Sequence, residues 1–268
     1  MRASDGDKRK IAVFLLLTFA FSSIFYYFMY STGEVLFGPL WMWSPGTAAV
    51  LTQLLFRDSI MEFGWRWGER RYLLVGWGIP LLYGLAIYGA TWITGFGGFQ
   101  VKTITVSGIR IPFIVSLLLQ ETLLLIPAIL AALGEELGWR SFLIPELMKV
   151  TSFTKAALMT GVIWAVWHYP AIIFANYNSD APLRFQLSIF SMSVVGMSVY
   201  TAWLWLKARS IWPVVLWHGN HNILIQGLYL SMTTYGSMTK YVVDDFGIGL
   251  TIASIALGYM FWVRRHEL

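Results

Sequence analysis

The 268-residue chain contains no cysteine. That absence excludes disulfides, thiolate metal sites and a cysteine nucleophile. Charge is scarce as well. Asp, Glu, Lys and Arg make up 12% of the residues, against about 25% in soluble domains, and no polar stretch is long enough to form a soluble domain. Six aspartates are present, Asp5, Asp7, Asp58, Asp180, Asp244 and Asp245. All fall outside the long apolar runs, which excludes an aspartyl dyad carried on membrane helices. No H-E-x-x-H zinc helix occurs, and a rhomboid-type serine turn is not expected. No internal repeat and no low-complexity segment is visible.

What is abundant is apolar surface. Hydrophobic residues account for 57% of the chain, with 14 Trp, 13 Tyr and 18 Phe, a composition suited to two membrane interfaces. Apolar runs of about 20 residues mark membrane helices. Eight are expected, near 11–30, 36–56, 72–95, 111–133, 154–176, 186–206, 211–230 and 247–263. Pro39 and Pro45 interrupt the second and Pro127 the fourth. The fourth run is expected to continue, kinked, toward Pro145, which brings "LGEELGWRSFLIP" inside the membrane. The first run is too long for a signal-peptide core and is read as a span. The fold class is therefore all-α, a polytopic membrane helix bundle forming one domain over residues 1–268. Eight spans put both termini on one side. Fifteen of the 19 Lys and Arg fall on that side, Arg140 among them, and four (Lys102, Arg110, Arg184, Lys240) on the other. This asymmetry predicts cytoplasmic termini in the plasma membrane. The net charge of +5 then reports topology, and no nucleic acid is expected as a partner.

An ionisable residue in mid-helix costs about 2.5–3.5 kcal/mol on insertion scales, so each one needs a reason. Glu121 lies in the fourth run, followed by Glu135, Glu136 and Arg140. His168 lies in the fifth run, and His218 and His221 in the seventh. Glu136 and Arg140 are four apart and can pair on one helix face, while Glu135 points about 100° away. His218 and Asn222 also share a face. Trp164 stands one turn before His168. Each has a bland reading: an ion pair, packing histidines, an amide bridging helices. Glu121 receives no role. The case for chemistry is co-occurrence on three helices of an unpaired carboxylate, imidazoles and an amide. Such a set can activate water and stabilise an oxyanion, the requirements of amide hydrolysis.

Three ordered motifs, E-E-x-x-x-R at Glu135–Arg140, aromatic-x-x-x-His at Trp164–His168 and His-x-x-x-Asn at His218–Asn222, resemble the type II CAAX prenyl protease family, also called CPBP or ABI, with its Ras-converting enzyme group. They span a core of residues 135–222. The family's second motif usually begins with Phe, where this chain has Trp164, and His221 is not demanded by the third. The resemblance implies an intramembrane endopeptidase, of a family often classed as metalloproteases. Glu135 is implied as general base, His168 as holder of the water, and His218 and Asn222 as oxyanion donors. Glu136 and Arg140 are implied as support for the helix, in a cavity open to the cytoplasm. It implies a membrane-embedded or lipidated substrate in the bilayer, and associates prokaryotic relatives with peptide maturation and bacteriocin self-immunity. No cofactor is expected, since His218 and His221 form the only same-helix His pair. Were zinc required, Glu135, His168 and His218 would have to converge on it. The competing class is a non-catalytic regulator or scaffold of the same fold, or a proton-coupled carrier, which repeat symmetry would favour.

Overall fold

The computed structural model describes residues 5–34, 37–101, 105–106, 109–175 and 177–268. The side chain of Glu121 lies outside the described residues. The first helix, α1 (Asp5–Thr32), is followed by α2 (Phe37–Met42) and α3 (Ser44–Leu55). The chain turns at Trp43 between α2 and α3, and Pro45 occupies the first turn of α3, where a missing N–H is harmless. After a 3₁₀ turn at Ile60–Phe63, α4 (Arg70–Thr94) leads into a short strand β1 (Gly97–Phe99), then β2 (Thr105–Val106) and β3 (Ile109–Arg110).

The helix α5 (Phe113–Glu136) passes straight through Pro127. It continues through a wide π-helical segment, Leu137–Leu143, into α6 (Ile144–Val150). The expected continuation toward Pro145 is thus present, achieved by overwide turns instead of a break. Next come α7 (Phe153–Phe174), α8 (Leu183–Ala208) and α9 (Trp212–His221). A second π-helical segment, Asn222–Tyr229, extends α9. The chain closes with β4 (Thr233–Tyr235), α10 (Thr239–Val242) and α11 (Ile248–Val263).

Among the described residues, five helical segments are long and apolar enough to cross a membrane: Asp5–Thr32, Arg70–Thr94, Thr122–Val150, Phe153–Phe174 and Leu183–Ala208. The chain is a helical integral membrane protein. Its two ends are recognisable from their contacts. At one end Lys10 bridges Asp58 at 2.6 Å and Glu146 at 2.7 Å, and Trp203 Nε1 donates to Arg264 O. At the other end β1 pairs antiparallel with β4, and Lys240 Nζ donates to Asp180 O. Arg140 does not belong with the loop charges: its side chain is fully buried.

Packing near the glutamates is close. A Cβ on Gly134 would lie 2.7 Å from Trp43 Cα, and one on Gly46 would lie 2.6 Å from Gly134 O. Only glycines let α3 and α5 approach to this distance. Trp43 Nε1 adds a hydrogen bond to Leu130 O at 2.9 Å. On the other flank, Trp41 stacks on Trp167 with ring centroids 4.1 Å apart, and Tyr26 donates to the carbonyl of Trp167. Trp139, Trp167, Phe142 and Arg140 are among the largest fully buried side chains.

Candidate active site

Both outer motifs sit where α-helix widens to π-helix. Glu135 and Glu136 are the last residues of α5, and Arg140 lies in the π segment behind them. His218 lies in α9, and Asn222 opens the second π segment. An overwide turn re-aims successive side chains, and such turns recur at functional sites.

Glu136 and Arg140 pair as expected, Nη1 to Oε1 at 3.0 Å with neither side chain exposed. Arg140 Nε also donates to Thr201 Oγ1 at 3.0 Å, and the guanidinium lies 4.0 Å above the Trp164 ring. Glu136 does more than support the helix. Its Oε1 also accepts from His218 Nδ1 at 2.7 Å, and the opposite ring nitrogen, Nε2, lies 4.0 Å from Glu135 Oε1. His218 therefore stands between the two glutamates. With Nδ1–H committed to Glu136, Nε2 is the nitrogen turned toward the reacting region.

Glu135 is buried but not isolated. Its Oε2 accepts from Trp164 Nε1 at 2.6 Å and from Trp139 Nε1 at 3.3 Å. The aromatic at the head of the second motif is thus a hydrogen-bond donor to the carboxylate, a role that Phe in the same place lacks. Sequence spacing put Trp164 one turn from His168 but carried no sign of this contact. His168 Nδ1 donates to the carbonyl of Trp164 at 2.9 Å, since a carbonyl can only accept, which leaves Nε2 for another partner. Among the described contacts His168 does not touch Glu135 directly; both touch Trp164. Asn222 accepts at Oδ1 from Gln226 at 3.4 Å, leaving its NH₂ group as a donor.

His168, His218 and Asn222 line one cavity together with Trp164, Tyr177, His221, Gln226 and Asp245. Its volume is about 40 Å³. Most of its lining comes from α7, α8, α9 and the second π segment, with Tyr177 and Asp245 added from the α7–α8 and α10–α11 connections.

His221, to which the motif gave no role, has two partners. Its Nδ1 meets the Tyr83 hydroxyl at 2.5 Å and its Nε2 meets Asp245 Oδ1 at 2.9 Å. Asp245 Oδ2 accepts from Tyr177 at 2.5 Å and from Gln226 at 2.7 Å. Burial alone would raise the Asp245 carboxyl, but His221 and Tyr177 hold it below its ordinary range. This aspartate was set aside on sequence because it lies in a connection. The fold returns it to the cavity wall, a long-range placement that no helical periodicity reveals.

Zinc fits this arrangement poorly. Among the described residues no three His, Cys, Asp or Glu form a group able to hold a metal. Two ligands at about 2.1 Å in a tetrahedral site lie about 3.4 Å apart, less than the 4.0 Å between His218 Nε2 and Glu135 Oε1. A serine nucleophile fits no better. The sequence does contain one G-x-S-x, Gly196–Val199, but it lies inside α8, where buried Ser198 Oγ donates to Ala157 O at 2.9 Å. That reading falls on position, not on absence.

A family model described as "Type II CAAX prenyl endopeptidase Rce1-like" matches residues 118–224. A protein of Methanococcus maripaludis named "CAAX prenyl protease 2" is 37% identical over 112 residues, covering 40% of this chain and 41% of that relative. The chain thus aligns with less than half of the relative's length. The matched segment contains Glu135, Glu136, Arg140, Trp164, His168, His218 and Asn222, so over residues 118–224 the chain is similar to the type II CAAX prenyl endopeptidases, the resemblance its three motifs carry.

Proposed function

We propose that the protein is an intramembrane endopeptidase that hydrolyses a peptide bond of a membrane-associated or lipidated substrate, using water activated by Glu135. The observation that carries this reading is the buried carboxylate held by two indole N–H groups, with His218 Nε2 4.0 Å away and anchored from behind by Glu136. A carboxylate so fixed can take a proton from water, and a positioned base of this kind contributes about 10²–10⁴ in rate.

Hydroxide formed at Glu135, with His168 Nε2 orienting the water, adds to the scissile carbonyl carbon. The developing oxyanion accepts from Asn222 Nδ2–H and His218 Nε2–H. For His218 to donate there as well as to Glu136, the ring must carry both protons, and the two glutamates supply the opposing charge. Collapse breaks the C–N bond as Glu135 returns the proton to the leaving nitrogen, giving a carboxylic acid and an amine. No step needs a metal or other cofactor.

The topology that goes with this reading has eight membrane passes, both termini in the cytoplasm, and the plasma membrane as location. The relative's name points to a prenylated substrate; peptide maturation and bacteriocin self-immunity are the cellular settings that the family resemblance adds. The test is incubation of the purified protein in liposomes with prenylated, acylated and unlipidated membrane peptides, read by mass spectrometry before and after exhaustive chelation. New peptide termini that persist after chelation are expected. Folded protein that cleaves none, or cleavage lost on chelation and restored by zinc, contradicts the reading.

A further inference from the structure

The cavity that His168, His218 and Asn222 line holds about 40 Å³, room for one or two waters. No peptide fits there, so a peptidase built on these residues must open a wall. Trp164, Val194, Met197 and Trp217 belong to the long helices α7, α8 and α9 and are buried. Tyr177 differs: it follows the end of α7, in the connection to α8. On its other side lies a larger cavity of about 300 Å³, lined by Met29, Gly33, Glu34, Gly38, Trp41 and Ala175 among others. Among the described residues, Tyr177 is the one that lines both cavities. Trp41 ties the two together as well, since it borders the larger cavity and meets the His168 ring edge-on at 5.3 Å.

The geometry points to Tyr177 as the residue that controls access to the small cavity lined by His168, His218 and Asn222, latched shut by Asp245, and to the cavity between α1, α2 and α7 as the vestibule that receives an extended, largely apolar peptide chain. This rests on the peptidase reading above. The latch is the 2.5 Å bond from the Tyr177 hydroxyl to Asp245 Oδ2. Asp245 is in turn fixed by His221 and Gln226, and His221 by Tyr83 on α4. The ring itself rests edge-on against Phe190 at 5.9 Å and Phe246 at 5.4 Å. Swinging it out breaks one charge-assisted hydrogen bond and exposes one ring, a smaller change than moving any helix-borne wall. The vestibule has the size of a ligand pocket. Its lining is mostly apolar, with one carboxylate, Glu34, on an exposed rim. A Cβ on Gly33 or Gly38 would meet nothing within 4 Å. These glycines leave unfilled space next to the passage.

The absence of native cysteine makes the test clean. Val194, in the wall of the small cavity, is replaced by Cys, and its labelling by a bulky maleimide is timed in detergent. The backgrounds are otherwise unaltered chain, Tyr177→Phe, Asp245→Asn, and Tyr177→Phe combined with Gly38→Phe. Labelling is expected to accelerate about ten-fold or more in the first two variants, as loss of a charge-assisted hydrogen bond shifts the open population. Filling the vestibule at Gly38 should reverse the gain. Ala157→Cys, fully buried outside both cavities, should label no faster in any background. Unchanged labelling of Val194→Cys in both Tyr177→Phe and Asp245→Asn overturns the proposal, and so does an equal rise at Ala157→Cys, which would mean general loosening. Repeating the series with Glu135→Gln separates access from turnover: the same labelling pattern in a chain that cleaves no peptide keeps the gate and removes the peptidase.

Discussion

Trp164 shows how a single residue can carry more than its motif position suggests. It donates to Glu135, stacks under Arg140 and presents its carbonyl to His168. Trp164→Phe keeps an aromatic ring but deletes a hydrogen bond to a charged group, worth about 1.5–3 kcal/mol. Turnover is expected to fall about 10- to 100-fold in protein that still purifies folded; unchanged turnover would leave the indole N–H without a role. Asp244 offers a pH signature. Burial and the neighbouring Asp245 push its carboxyl from 3.8 up to about 7. Between those values the folded chain holds a proton that the unfolded chain has released, so this group weakens the fold as pH rises. Asp244→Asn removes that cost, and Asn also accepts the positive φ of 70° found there. The variant's melting temperature should exceed the parent's at pH 8 and match it near pH 4; a gain at pH 4 that vanished at pH 8 would reverse the assignment. At this scale the sequence was legible where partners share a helix, as with Glu136–Arg140. It was silent where they meet across the bundle, as with Trp164–Glu135 and His221–Asp245.

The decisive local elements are the two π-helical segments and the glycine contact beside the first. Apolar periodicity located the runs that hold them, and Pro145 hinted that the fourth run went on past the glutamates. Nothing in the residue pattern distinguishes a π turn from an α turn, because the extra residue per turn is enforced by what packs against it. Here that is α3, seated on Gly134 through Trp43 and Gly46. Gly134→Ala forces backbone against backbone and should destabilise the protein by about 1–3 kcal/mol, as overpacking does. It should also lower turnover, since the displaced segment carries Glu135. Thermal melting and a cleavage assay on the same preparation check both; an alanine variant with parental stability would mean that α3 does not hold the segment in place.

For the whole molecule, hydropathy alone identified a helical membrane protein, and the three motifs identified the segment that an Rce1-like family model matches. How the cavity is walled was not legible. Tyr177 and Asp245 reach the cavity wall from the α7–α8 and α10–α11 connections, a placement that hydropathy does not report. The buried glutamate pair is the centre of the account, and it assigns unlike roles to two adjacent carboxylates. Glu136→Gln leaves Arg140 and His218 without their shared counter-charge, and breaking a buried pair costs about 3–5 kcal/mol, so it should lose stability and turnover together. Glu135→Gln keeps an oxygen for the indole donors and loses only the ability to take a proton. The measurement is the cleavage rate per folded molecule for parent, Glu135→Gln and Glu136→Gln, with melting temperature taken on each sample. The account predicts no turnover and near-parental melting for Glu135→Gln, with lowered melting for Glu136→Gln. Turnover retained in Glu135→Gln, or lost in Glu136→Gln with melting unchanged, would contradict it.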